Sequence, residues 1–177
     1  LGSTGLIGKL CLKKLIETPQ VSQVTCLSRR NSGIKNSKIR THIQDFRDLD
    51  HCPTDVFKVD TVICSLGTTI KKAGSQEKFR ELEIDQIFQI ANKAKKQGCQ
   101  KFIIVSSIGA NPQSSIFYLK TKGEIEEKLK ALGFSSLIII RPSLLLGQRD
   151  ESRIGEDFGK IVTSPLQWFN VSILNKI

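Results

Sequence analysis

Apolar residues along this chain come in short unbroken runs separated by longer stretches of helical period. Val62-Ile63-Cys64, Phe102-Ile103-Ile104-Val105 and Leu137-Ile138-Ile139-Ile140 are apolar on both faces of an extended backbone, the pattern of strands covered from two sides. Between them, residues 75–97 predict a long helix with Phe79, Ile87, Phe88, Ala91 and Ala94 inward and Gly98 as its stop. Residues from Tyr118 to Leu132 predict another, with Ile125, Leu129 and Leu132 inward and Gly133 closing it. Nearer the start, residues 6–16 predict a helix with Leu6, Leu10 and Cys11 on one face and Leu15 continuing it. Val21 to Leu27 predicts a strand, residues 31–38 a polar loop, and residues 40–45 a short third strand ending at Asp45. The alternation predicts an α/β fold, a doubly wound parallel sheet with helices on both faces, whose ligands lie at the C-terminal ends of the strands.

Composition narrows the class. A chain of 177 residues, 39% hydrophobic and 25% charged, is large enough for one globular core and lacks the bias of a disordered or fibrous segment. The five cysteines, Cys11, Cys26, Cys52, Cys64 and Cys99, are scattered without a C-x-x-C pair; Cys11, Cys26 and Cys64 sit in apolar runs and read as core residues, and a reducing, cytoplasmic-type compartment is expected. A net charge of +10 invites a nucleic-acid or anionic-membrane reading. The cations are instead spread over helix faces, as in Lys13-Lys14, Lys95-Lys96 and Lys128 with Lys130, and aromatics seldom stand among them for base stacking. A solvated basic surface is therefore expected, with neither nucleic acid nor membrane as partner. No run of about 18 apolar residues is present in the sequence.

The chemistry begins at Gly2-Ser3-Thr4-Gly5-Leu6-Ile7-Gly8, a G-x-x-G-x-x-G spacing ahead of the first helix. Gly2 permits a tight turn out of a strand, Gly5 lets a pyrophosphate approach the backbone, and Gly8 lets the helix pack close to the sheet. The helix N-terminus then offers its N–H groups to phosphate. Such a turn is fed by a buried strand, so the chain is expected to continue upstream of Leu1. Where an acidic residue would bind the adenosine ribose, about twenty residues on, the chain has Arg29-Arg30. A guanidinium fork suits a phosphate, so the pair predicts NADP(H) over NAD(H), unless both are surface charges. Asp45 could accept from the adenine amino group with Phe46 beside the ring, or simply form a turn. At the end of the fourth strand, Leu66, Gly67 and Thr68 would let the backbone pass close to ribose and phosphate.

Tyr118, the only tyrosine, and Lys122 share a helix face at i and i+4, shortly after a strand ending in Ser106-Ser107. The ammonium favours the ionised phenol, which equips Tyr118 as a general acid or base. Ser107, nearer the cleft than Ser106, would hydrogen-bond a substrate oxygen, unless both are strand-terminal polar residues.

Through the glycine turn, Ser106-Ser107 and Tyr118-Leu119-Lys120-Thr121-Lys122, the chain resembles the short-chain dehydrogenase/reductase superfamily. More narrowly it resembles the atypical TIP30/CC3-like (Tat-interacting protein) branch, through Leu66-Gly67-Thr68-Thr69, Lys72-Ala73-Gly74, Ser106 to Ala110, Tyr118 to Gly123 and Arg141-Pro142 through Arg149 to Arg153. The resemblance implies a Rossmann-type NADP(H)-binding domain over 1–177, with residues 146–177 contributing to the substrate side. It implies Thr4, Gly5, Leu6, Ile7, Arg29, Arg30, Leu66, Gly67, Tyr118, Lys122, Leu145 and Arg153 as cofactor contacts; the reading of the residues adds Gly2, Ser3, Asp45 and Thr68, and no metal is expected. The expected activity is hydride transfer between NADPH and a small carbonyl or alcohol substrate, by a monomer or homodimer. The alternative is an NADPH-sensing regulatory module that acts on a protein partner with little turnover.

Overall fold

The computed structural model describes residues 1–31, 33–143 and 172–175 of the chain. After α1 (Leu6–Glu17), β1 (Val24–Ser28) pairs in parallel with β2 (Ile39–Ile43), Val24 lying opposite Ile39. A second sheet runs β3 (Thr61–Cys64), β4 (Lys101–Val105), β5 (Ser136–Ile140) in parallel, with Val62 opposite Phe102 and Phe102 opposite Leu137. These are the two-sided apolar runs, and they pair as their composition requires. A fourth strand, β6 (Ser172–Asn175), adds to β5 in antiparallel sense. It departs from the all-parallel expectation because nothing in its short sequence specifies strand direction.

Leu1 joins the two sheets. Its backbone nitrogen donates to the Ile63 carbonyl at 2.8 Å, and the Ser65 N–H donates to the Leu1 carbonyl at 3.1 Å, a parallel ladder along β3. Its side chain packs against both apolar clusters, one built on Ile87, Phe102, Ile104, Ile125 and Leu129, the other on Leu27, Phe46, Leu49, Phe57 and Ile90. Phe46 is thus core, which removes it from the adenine-stacking role expected of it. Cys26, Cys52, Cys64 and Cys99 are buried, and desolvation pushes each thiol up.

Helices cover the sheet where the periodicity places them, with three differences. In α1 the buried residues are Gly8 and Leu12, while Leu10 is 60% exposed, because the helix is rotated to set Gly8 against the Gly2 turn. The short α2 (Ile70–Ala73) and a 3₁₀ turn (Thr54–Phe57) were not legible in the apolar pattern. The long helix expected over 75–97 is α3 (Gln76–Arg80), a π-helical turn (Glu81–Asp85) and α4 (Gln86–Lys96) in succession. Finally α5 (Phe117–Ala131) precedes β5. The segment 146–177 lies outside the described residues except for β6.

The loop after β4 lies on α5 because Gly123 has no side chain. A Cβ there would stand 2.2 Å from the Pro112 nitrogen and 2.3 Å from the Asn111 carbonyl carbon. Gly123→Ala is expected to destabilise the fold by about 1–3 kcal/mol through overpacking, read by denaturant unfolding. An unchanged midpoint would show that the loop is not held this way.

Candidate functional site

The glycine turn forms as its spacing requires. Gly2 takes φ +78°, and a Cβ on it would fall 2.7 Å from the Ser65 backbone. A Cβ on Gly8 would reach 1.9 Å from the Gly2 carbonyl oxygen, so α1 can start this close to the strand end only with glycine there. Gly5 is the exposed N-cap, its own N–H donating back to Gly2 O at 3.0 Å. Among the described residues no side chain caps α1, and no acidic residue stands in its first turn, which leaves the N-terminus able to take an anion. Ser3 is buried in this turn, while Thr4, Leu6 and Ile7 are half-buried around it.

At the ends of β1 and β2, an open cleft of about 640 Å³ is lined by Arg29, Arg47, Lys72 and Lys78 against Asp45 and Glu81. Arg30 is exposed and contributes no wall; its carbonyl instead accepts from Ser28 Oγ at 2.6 Å. Asp45 accepts from the Arg47 N–H at 3.0 Å and from its guanidinium at 2.5 Å, a turn closed by an exposed ion pair. Those Arg47 hydrogen bonds hold the Asp45 carboxyl at about 2, below the ordinary range. The turn-forming alternative therefore describes its contacts. Tyr118, Lys122 and Ser107 are not part of this cleft wall.

A chain of contacts runs from the glycine turn to the tyrosine. Gly2 lies against Ser65, whose Oγ donates to Leu1 O at 3.0 Å. Three residues on, past half-buried Leu66 and exposed Gly67, the Thr68 N–H donates to Glu83 Oε1 at 2.6 Å. The other oxygen, Glu83 Oε2, accepts from Lys122 Nζ at 2.5 Å. That ammonium lies 6.0 Å from the centre of the Tyr118 ring, which also packs at 6.0 Å on Phe79. Burial alone would push Lys122 down, but Glu83 first and Tyr118 next offset it, and the ammonium is held above its ordinary value.

The two serines have different partners. Ser106 Oγ donates to Glu126 Oε1 at 2.5 Å, and Glu126 also takes the Arg141 guanidinium, through Nε at 3.0 Å and through Nη2. Among the described residues, Ser107 Oγ donates to the adjoining Ile108 carbonyl at 3.2 Å. Its loop returns to α5 beside Tyr118, where the Asn111 N–H donates to the Leu119 carbonyl at 3.1 Å. Leu145 and Arg153 lie outside the described residues. Glu83 and Glu126 were not singled out from the sequence, yet the signal was there. Phe79, Glu83 and Ile87 fall at i, i+4 and i+8, and Lys122, Glu126 and Leu129 share a face, so carboxylates stood on inward stripes.

A family whose members are described as NAD(P)H-binding matches residues 2–162. The chain belongs to that NAD(P)H-binding family. Among curated relatives, Protein FMP52, mitochondrial, of Candida albicans is 35% identical over 156 residues, covering 86% of this chain and 68% of its own length. Protein HTATIP2 of Rattus norvegicus is 37% identical over 159 residues, covering 88% of this chain and 65% of its own. The TIP30-like resemblance is thereby borne out. The fold is that of the Bordetella bronchiseptica enzyme WbmH in complex with NAD+, with a TM-score of 0.71 at 16% identity over 85% of this chain and 56% of that one. The Rossmann-type expectation holds on the same ground. One expectation is overturned: the fungal relatives are named mitochondrial, against a cytoplasmic location. Unpaired core thiols report a reducing environment but do not say which compartment supplies it.

Within the NAD(P)H-binding chain, the ionisation of Asp45 gives a direct check of the cleft. Its pKa is lowered by Arg47, so the pair is complete above the unfolded aspartate value of about 3.9 and is lost as pH falls toward about 2. A carbon-detected NMR titration should find that low midpoint in the native protein and an ordinary one in Arg47→Ala. An ordinary midpoint before substitution would contradict the cleft geometry.

Proposed function

We propose that the chain is an NADP(H)-dependent oxidoreductase domain of short-chain dehydrogenase/reductase type, acting on a small carbonyl or alcohol. The observation that carries this reading is the continuous path of contacts from Gly2 through Ser65, Thr68 and Glu83 to Lys122 and Tyr118. It supports an arrangement in which an anion-accepting helix end and a proton-transfer pair would lie along one edge, at the C-terminal ends of parallel strands. A bound NADPH would supply hydride to a carbonyl carbon.

The residues supply the rest. Gly2 to Ile7 would hold the pyrophosphate with backbone N–H groups, and Leu66, Gly67 and Thr68 would pass along the ribose. Arg29, in the wall of the basic cleft, would pair with the extra phosphate, with Arg30 adding charge and Asp45 bordering the adenine end. Leu145 and Arg153 are assigned to the cofactor on the family pattern alone, as is the role of 146–177 on the substrate side. Tyr118 would donate its proton to the developing alkoxide. Lys122 would bind nicotinamide-ribose hydroxyls and stabilise the phenolate left behind. Ser107 would hydrogen-bond the same oxygen, a role supported by its freedom from the Glu126 network that engages Ser106. The mitochondrial names of the fungal relatives support a mitochondrial address.

Two measurements test this. Tyr118→Phe should lower turnover of an aldehyde or ketone panel by on the order of 10²–10⁴ while leaving NADPH binding intact. Turnover that survives the substitution removes Tyr118 from the chemistry, and binding without turnover in the unmodified protein favours the regulatory alternative. Arg29→Ala with Arg30→Ala should weaken NADPH by about tenfold or more and NADH far less. Equal weakening of both would exclude the phosphate clamp.

A further inference from the structure

Glu83 links the glycine turn to Lys122 without a chemical role of its own, yet it is among the most deeply buried charged groups described. Its side chain is 1% exposed and that of its partner Lys122 is 5% exposed. Both carboxylate oxygens are used, Oε1 by the Thr68 N–H at 2.6 Å and Oε2 by Lys122 Nζ at 2.5 Å. A buried ion pair is a weak stabiliser, because desolvation offsets most of the attraction, and apolar residues of similar volume would fill the same space at no electrostatic cost. The neighbouring carboxylate, Glu126, is committed to Ser106 and Arg141, so among the described residues Glu83 is the carboxylate that pairs with Lys122.

The backbone is arranged for this contact. Glu83 sits at the centre of the π-helical turn Glu81–Asp85, where the register between α3 and α4 slips by one residue. Within the turn, Glu81 and Leu82 line the basic cleft, while Glu83 and Ile84 are buried beside α5 and β3. The slip lets one short segment face the cleft and the lysine at once. Through its two oxygens the carboxylate then ties the loop after β3 to the catalytic helix.

We propose that Glu83 is a positioning residue: by holding the Lys122 ammonium against the Thr68 loop, it sets the affinity of the site for the nicotinamide half of the dinucleotide. This rests on the dinucleotide reading proposed above. Glu83 touches neither cofactor nor substrate in this role and acts through Lys122.

The test uses two probes, NADPH and adenosine 2′,5′-bisphosphate, the second carrying the adenosine half alone. Both are titrated by calorimetry against the unmodified protein and Glu83→Gln, in which one amide oxygen can still accept from Thr68 but the amide nitrogen faces the lysine. NADPH should weaken by about tenfold, the scale of one charge-assisted contact, while the bisphosphate is unchanged. Equal loss for both probes, or no loss for either, overturns the proposal by making Glu83 merely structural or inert. Should Glu83→Gln not fold, Lys122→Met is compared with Glu83→Gln/Lys122→Met, which leaves no unpaired buried charge. Equal NADPH affinity in that pair supports action through Lys122, and a further loss in the double variant overturns it. If the unmodified protein binds neither probe, the dinucleotide reading itself falls, and this inference with it.

Discussion

The whole arrangement depends on one steric constraint, the approach of α1 to the Gly2 carbonyl. With a side chain at position 8 the helix would stand back from the strand end, since a Cβ there would lie 1.9 Å from that oxygen. Gly2 meets the same limit from the other side, where its left-handed backbone leaves no room for a Cβ beside Ser65. Both contacts pull the first helical turn, uncapped and free of acidic residues, down onto the edge where β3 ends. An anion-accepting helix end is thereby placed by backbone packing rather than by any charged side chain.

On the other side of that edge the structure spends polar groups where apolar ones would pack. Lys122 with Glu83 and Arg141 with Glu126 bring two carboxylates, each 1% exposed, into the layer between the sheet and its helices. Each carboxylate reaches a group at a strand end: Glu83 the Thr68 backbone after β3, Glu126 the Ser106 hydroxyl after β4. These contacts fix the loops that follow, including the one carrying Ser107, against α5. Rigidity in the loops is what a site for positioned proton transfer needs.

Much of this was legible in the residues, for a physical reason. Runs such as Phe102 to Val105 have one stable solution, a strand covered on both faces, and Gly98 and Gly133 end helices with left-handed φ of 90° and 64°. What could not be read was rotation and fine register. Leu10 faces outward because Gly8 dictates how α1 turns, a contact invisible to periodicity. The π-helical turn leaves the apolar pattern of 75–97 almost unchanged, so the slip that brings Glu83 inward has no signature except the carboxylate itself. Phe46 and Asp45 are neighbours in sequence that part in the fold: the phenyl ring is 4% exposed in the core, which takes it from the adenine, while the carboxylate turns out to Arg47, the turn-forming alternative. Arg29 and Arg30 diverge in the same manner at the end of β1, and only the first reaches the cleft. Location was misjudged because cysteine chemistry reports redox state alone.

The central claim is that one dinucleotide spans from the glycine turn to the tyrosine. A crystal structure of the protein grown with NADPH tests it most directly. The account predicts the pyrophosphate on the N–H groups at the start of α1, the extra phosphate against Arg29, and the nicotinamide ribose within hydrogen-bond reach of Lys122. A dinucleotide bound elsewhere, or with its nicotinamide end turned away from Tyr118, would contradict it.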